Sequence, residues 1–254
     1  MSVRKARQGV QRCVAFTLTE VLIVIGIIAL LAALLLPFFA HARGKGYQAV
    51  CASNLKQISL ATSLYTQDDD GMMFPILAHA SDDGNVTEWC IRKVAHKPDY
   101  SPDKSGGYLS RYIKNEGIWN CPSAPSLIMP YGVNIAFLRA EIAAKHPTRL
   151  AQVSAPSETI LVTESVFQSS AWWEQEPVVY LPSDHAATVE GRHFGWANVL
   201  WVDGHISAKE PFASYPIKSP YLSIQQLQQL NRGDILKQTD TGNSGQDYYY
   251  DLSK

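Results

Sequence analysis

The chain has 254 residues, 18% of them charged, and a formal net charge of −1. That length accommodates a long helix plus one globular domain of ordinary size, and the near-neutral balance excludes the strongly basic footprint of a nucleic-acid-binding protein. The basic residues are unevenly placed: the first fifteen positions hold Arg4, Lys5, Arg7 and Arg12 and no acid, so removing them leaves 18 basic against 23 acidic residues.

Residues 21–36 (VLIVIGIIALLAALLL) contain no charged or strongly polar side chain. Counted from Phe16, twenty-one residues precede Pro37, about the ~20 that a helix needs to cross a ~30 Å hydrocarbon core. A secretory signal peptide is the competing reading. It is disfavoured because the apolar run exceeds an ordinary signal core and no small-x-small cleavage site follows it. A run with no polar face also fits lipid better than the interior of a soluble domain. Glu20 stands inside this apolar stretch. A lone carboxylate in a membrane costs at least ~2.5 kcal/mol, so it needs either a partner, such as a new N-terminal amine, or solvation at the headgroups.

The hexapeptide Ala15-Phe16-Thr17-Leu18-Thr19-Glu20 with the apolar run behind it resembles the processing signal of type IV pilins and type II secretion pseudopilins. The resemblance implies cleavage between Ala15 and Phe16 by a prepilin peptidase, and methylation of the new N-terminal Phe16. It further implies a role for Glu20 in docking each subunit on its neighbour. Ala15 departs from the glycine usual before the cut. Pro37 falls where helices of that family often bend. The basic leader agrees with a cytoplasmic N-terminus.

Beyond Pro37 the helix is expected to resume, with Gly44 and Gly46 lowering helix propensity as a flexible joint. In the following segment Leu55, Ile58, Ala61, Thr62 and Tyr65 recur at spacings of three and four, predicting an amphipathic helix with one face for a domain. It ends at Asp68-Asp69-Asp70-Gly71. Three acids before a glycine can ligate calcium, but the spaced ligands of a calcium loop are absent, and an exposed helix-ending loop is the preferred reading.

Strands are predicted at 158–163 (ETILVT), 177–181 (PVVYL) and 197–202 (ANVLWV), from their β-branched and apolar content. Asp203-Gly204 followed by HISA predicts a hairpin with a type I′ turn. The segment SSAWWEQEP offers Trp172 and Trp173 as core residues or as a loop surface for a carbohydrate or protein. Residues 223–230 (SIQQLQQL) predict a short helix, and 237–254 a polar mobile tail whose tyrosines can dock on the domain or a neighbour.

Cys13 lies in the leader, leaving Cys51, Cys90 and Cys121. Outside the cytoplasm three thiols reduce most simply to one disulfide and one free thiol. Cys90 and Cys121 flank a loop-rich segment and are expected to pair, with Cys51 free on the helix. No C-x-x-C spacing exists, so no zinc site built on cysteines is expected. Asp184, His185, His193, Asp203 and His205 form a loose cluster in sequence. They match no metalloenzyme spacing, and a histidine fixing a loop is preferred over a metal ligand. No G-x-S-x-G, H-E-x-x-H or Walker motif is present, so no catalytic residue, metal or cofactor is assigned.

Further along, Cys51-x-x-Asn54-Leu55-Lys56-Gln57, Cys121-Pro122, Tyr131-Gly132-Val133-Asn134 and His193 separated by nine residues from Asp203-Gly204 stand in an order that resembles a pilin-like group with a C-terminal His-x9-Asp-Gly element. Together the two resemblances imply an α+β, pilin-like fold: a long N-terminal transmembrane helix packed on a small antiparallel β-sheet. The expected organisation is a leader (1–15), a transmembrane and stalk helix (16–66), a periplasmic domain (67–236) and the tail. The implied role is a non-enzymatic, single-pass inner-membrane subunit of a pseudopilus or type IV pilus-like filament, with the peptidase and other pilin subunits as partners. Two alternatives stand beside it. One is a monomeric anchored binding protein for a glycan or surface protein. The other is a metal-dependent hydrolase using His185, His193, Asp203 and His205.

Overall fold

The computed structural model describes residues 17–76, 86–90, 92–93, 103–127, 129–144, 146–168, 173–174, 177–184, 188–213, 224–235 and 249–252. The chain divides into two units, the first ending at Arg43 and the second beginning at Gly44.

The first unit is the N-terminal part of helix α1 (Leu18–Asp68), which continues through Pro37. Its Leu, Ile, Val and Phe side chains from Leu18 to Phe39 are exposed. Among the described residues nothing covers the apolar run, and α1 is long and apolar enough to cross a membrane.

The second unit begins with the rest of α1. Cys51, Asn54, Leu55, Ile58, Ala61 and Thr62 are buried, the three-and-four spacing that puts them on one face. The helix runs through Gly44, and a Cβ there would meet the Phe194 ring at 2.3 Å. The bare backbone makes room for that ring. The helix ends at the acidic run as expected. Asp70 and Gly71 take positive φ of 49° and 78°, and the Gly71 N–H donates to the Thr66 carbonyl at 2.7 Å, closing the last turn.

The strands among the described residues are β1 (Val86–Thr87), β2 (Arg92–Lys93), β3 (Tyr131–Asn134), β4 (Ile160–Glu164), β5 (Phe167–Gln168), β6 (Trp173–Glu174), β7 (Val178–Val179), β8 (Val189–Glu190), β9 (Ala197–Trp201), β10 (Ile206–Lys209) and β11 (Arg232–Gly233). Two further helices are α2 (Ile135–Ala144) and α3 (Ile224–Gln229). The main sheet has the order β10-β9-β4-β3-β7. The fold is thus α+β as expected, but the sheet is mixed instead of antiparallel. β7 joins β3 in parallel, Val133 opposite Val178, because the chain leaves β4, makes the β5–β6 hairpin and comes back along the far side of β3. Strands β3, β4 and β9 are buried along their whole length, as central strands covered on both faces must be.

The β9–β10 hairpin forms where Asp203-Gly204 predicts it, with a different turn. Only Gly204 has positive φ, 86°, and its N–H donates to the Trp201 carbonyl at 2.9 Å while the Trp201 N–H donates to the His205 carbonyl at 3.0 Å. This is a three-residue loop with the glycine in the left-handed position, not a type I′ turn, because Asp203 keeps negative φ. The core spreads from the buried face of α1 over the sheet and includes Trp89, Trp119, Tyr131 and Phe137. It also includes Tyr250. The end of the segment read as a mobile tail is therefore packed: the Ile160 N–H donates to the Tyr249 carbonyl at 2.7 Å.

Candidate functional site

Two places bring candidate functional residues together, one on each unit. At the start of α1, Thr17 and Glu20 form a reciprocal cap. The Thr17 N–H and hydroxyl donate to Glu20 Oε2 at 2.8 Å and 2.7 Å, and the Glu20 N–H donates to Thr17 Oγ1 at 3.3 Å. Threonine with glutamate three residues later satisfies two helix N–H groups that have no partner inside the helix. Glu20 thus has a local structural role alongside the docking role its motif implies. Ala15 and Phe16, the expected processing site, lie outside the described residues.

The second place is buried. Cys51 on α1, Cys121 in the turn after a short 3-10 helix, Glu164 at the end of β4 and His193 in the loop before β9 bring one ligand atom each to within 4.8 Å of one another. All four side chains are buried. Cys51 Sγ lies 2.7 Å from Cys121 Sγ, and Cys121 Sγ lies 4.0 Å from His193 Nε2. The same Nε2 lies 2.8 Å from Glu164 Oε1, while His193 Nδ1 lies 3.3 Å from Ser123 Oγ. Asn198 holds the carboxylate from behind: its N–H donates to Oε2 and its side-chain amide to Oε1, both at 3.0 Å. That amide also donates to the Gln48 carbonyl on α1 at 3.2 Å.

The electrostatics favour a charged array. The hydrogen bond from Cys51 does most to draw the Cys121 thiol down to about 4; burial opposes this, and His193 and the Arg192 charge assist it. The Cys51 thiol is pushed up by that hydrogen bond and by burial. Burial works against a charged His193, but Cys121 and Glu164 outweigh it and raise the imidazole to about 9. Arg192, with its side chain 4% exposed, sits against Glu190 at 2.9 Å. It donates to the Ser165 carbonyl at 2.8 Å.

A cysteine, a histidine and a carboxylate invite comparison with a nucleophilic triad. The geometry is unsuited to one. A relay needs the base to face the nucleophile through one nitrogen and the carboxylate through the other, whereas here Nε2 faces both. Burial also denies access to substrate. The arrangement is equipped to bind a cation or to join two sulfurs.

Several expectations change here. The sulfur that Cys121 meets is that of Cys51. Cys51 lies on the inward face of α1, so packing the helix on the domain delivers it to Cys121. Of the hydrolase set, His185 lies outside the described residues, and His193 is buried with Glu164. Asp203 and His205 form an exposed pair of their own, Oδ1 to Nδ1 at 2.6 Å, closing the hairpin turn. Trp172 also lies outside the described residues. Glu164 carried no signal as a site residue, although an acid ending the apolar strand ILVTE is the one feature that marks it. The chain matches no family model, no curated protein and no solved structure.

Proposed function

We propose that this chain is a processed, single-pass inner-membrane subunit that assembles through its N-terminal helix into a type II secretion pseudopilus or type IV pilus-like filament. The observation that carries the reading is the division of α1. One continuous helix has an apolar N-terminal part exposed on all sides and a C-terminal part whose inward face is domain core. A helix of this design holds a domain at one end and offers the other to lipid or to like helices. In this reading a prepilin peptidase removes residues 1–15 and Phe16 is methylated. The N-terminus faces the cytoplasm, the domain lies in the periplasm, and neighbouring subunits are the partners. The chain acts by assembly, not by catalysis.

Glu20 then pairs with the N-terminal amine of an adjacent subunit in place of its own cap. Removing one member of a buried charge pair costs about 3–5 kcal/mol. The test is chemical crosslinking of the full chain in its membrane, wild type beside Glu20→Ala, with intact mass measured on both. Wild type giving a ladder of multimers, and the variant giving processed monomer, is the expected result. Wild type giving monomer alone overturns assembly in favour of an anchored binding protein, for which Phe194 and Trp196, exposed at 47% and 43%, are the surface to examine.

A further inference from the structure

We infer that Cys51, Cys121, Glu164 and His193 form a structural zinc site that locks helix α1 to the sheet. The inference is independent of whether the chain assembles.

Four separate elements each deliver one side chain, and their ligand atoms converge within 4.8 Å. Two sulfurs, one imidazole nitrogen and one carboxylate oxygen are a donor set for zinc, which takes four such ligands in a tetrahedron. Calcium and magnesium require oxygen shells and do not suit two thiolates. Four protein ligands leave no open position for water or substrate, which marks a structural and not a catalytic site.

The surroundings are arranged as a metal's ligands need. A metal-bound histidine holds its other ring nitrogen against a polar partner, and His193 Nδ1 faces Ser123 Oγ at 3.3 Å while Nε2 points inward. Glu164 Oε2 is engaged by the Asn198 N–H at 3.0 Å, while Oε1, which also accepts from the Asn198 side-chain amide, is turned to the cluster. Two thiolates and a carboxylate around a divalent ion leave one negative charge. The Arg192 guanidinium acts on both Cys121 and Glu164, and its buried Nε has no hydrogen-bond partner among the described residues. Entry of the ion spreads the sulfurs from 2.7 Å to roughly 3.8 Å, the separation that Zn–S bonds of about 2.3 Å impose in a tetrahedron. A Cys51–Cys121 disulfide is the competing outcome. It accounts for the sulfurs and leaves the convergence of His193 and Glu164 on them without a purpose.

The experiment uses the full chain, extracted from its membrane in detergent without chelator or reductant. Metal content and thiols are measured together, the thiols after unfolding in chelator. The expected result is one zinc per chain, with Cys51 and Cys121 both titrating as thiols. Replacement by cobalt should give thiolate-to-metal charge-transfer bands. Zinc should be lost in Cys121→Ser and in His193→Ala. Asn198→Ala, which only loosens Glu164, should weaken zinc binding about 10–100-fold. Glu164→Gln, which keeps the size and one acceptor oxygen for Asn198, guards against variants that fail to fold and should also bind zinc more weakly. Metal-free protein with a mapped Cys51–Cys121 disulfide overturns the inference, as does metal-free protein with both thiols free, or zinc retained in His193→Ala.

Discussion

The side-chain amide of Asn134 donates to the backbone carbonyl of Tyr250, 2.9 Å away across 116 residues of chain. The same amide donates to the Ile160 carbonyl at 3.0 Å, and Asn134 Oδ1 accepts from the Ala136 N–H at 2.9 Å. One fully buried side chain thus starts α2, holds β4 and pins the C-terminal segment. A buried asparagine is tolerated because its hydrogen-bonding capacity is largely used.

Asn134→Ala should therefore destabilise the domain well beyond its small loss of volume. Leaving buried carbonyls unpaired costs about 1–3 kcal/mol, and each kcal/mol lowers the midpoint of a domain this size by about 2–4 °C. Thermal unfolding of the detergent-extracted chain, followed by tryptophan fluorescence, should show the drop. An unchanged midpoint would mean that the Tyr250 segment is not held this way.

The same segment is tested by Tyr250 itself. Its ring is fully buried, and its hydroxyl accepts from the Ile235 N–H at 3.1 Å. Tyr250→Ala should cost about 3–5 kcal/mol, as for other buried aromatics, and Tyr250→Phe only about 1 kcal/mol for the hydrogen bond. Urea midpoints of the two variants should separate accordingly. Equal, small effects would return this end of the chain to the mobile tail that its composition suggests.

Two glycines should respond in opposite directions. At Gly233 an added Cβ would meet the Phe212 backbone at 2.5 Å from its carbonyl carbon, and main chain cannot swing aside, so Gly233→Ala should cost about 1–3 kcal/mol. At Gly46, inside α1, nothing lies within 4 Å, and Gly46→Ala should stabilise the helix by up to about 1 kcal/mol. Protease resistance of the two variants at rising temperature orders them. Loss of stability at Gly46 would show that the stalk needs its flexibility there.

Processing has its own measurement. Intact mass of membrane-extracted protein should correspond to loss of residues 1–15, with Phe16 leading the mature chain and carrying a methyl group. Cleavage beyond the apolar run would make the chain an ordinary secreted protein and end the filament reading.

The sequence by itself determined what short stretches of chain decide alone. Residues 21–36 have no polar side chain, a run apolar enough for a helix that can cross a membrane and satisfies its own backbone. The three-and-four recurrence from Leu55 to Tyr65 placed one face of α1 inward, and Asp203-Gly204 placed a hairpin. In each case the controlling interactions lie within a few residues. Tertiary structure decided the rest. The cluster joins Cys51 to Cys121 across 70 residues and His193 to Glu164 across 29, separations with no local period to read. The pairing of Cys90 with Cys121 is suggested by the loop-rich segment they flank, a local feature that says nothing of which sulfur the inward face of α1 delivers. The parallel edge at β7 and the burial of Tyr250 depend on where the chain returns, which backbone pairing and core volume settle only once α1 and the sheet have come together.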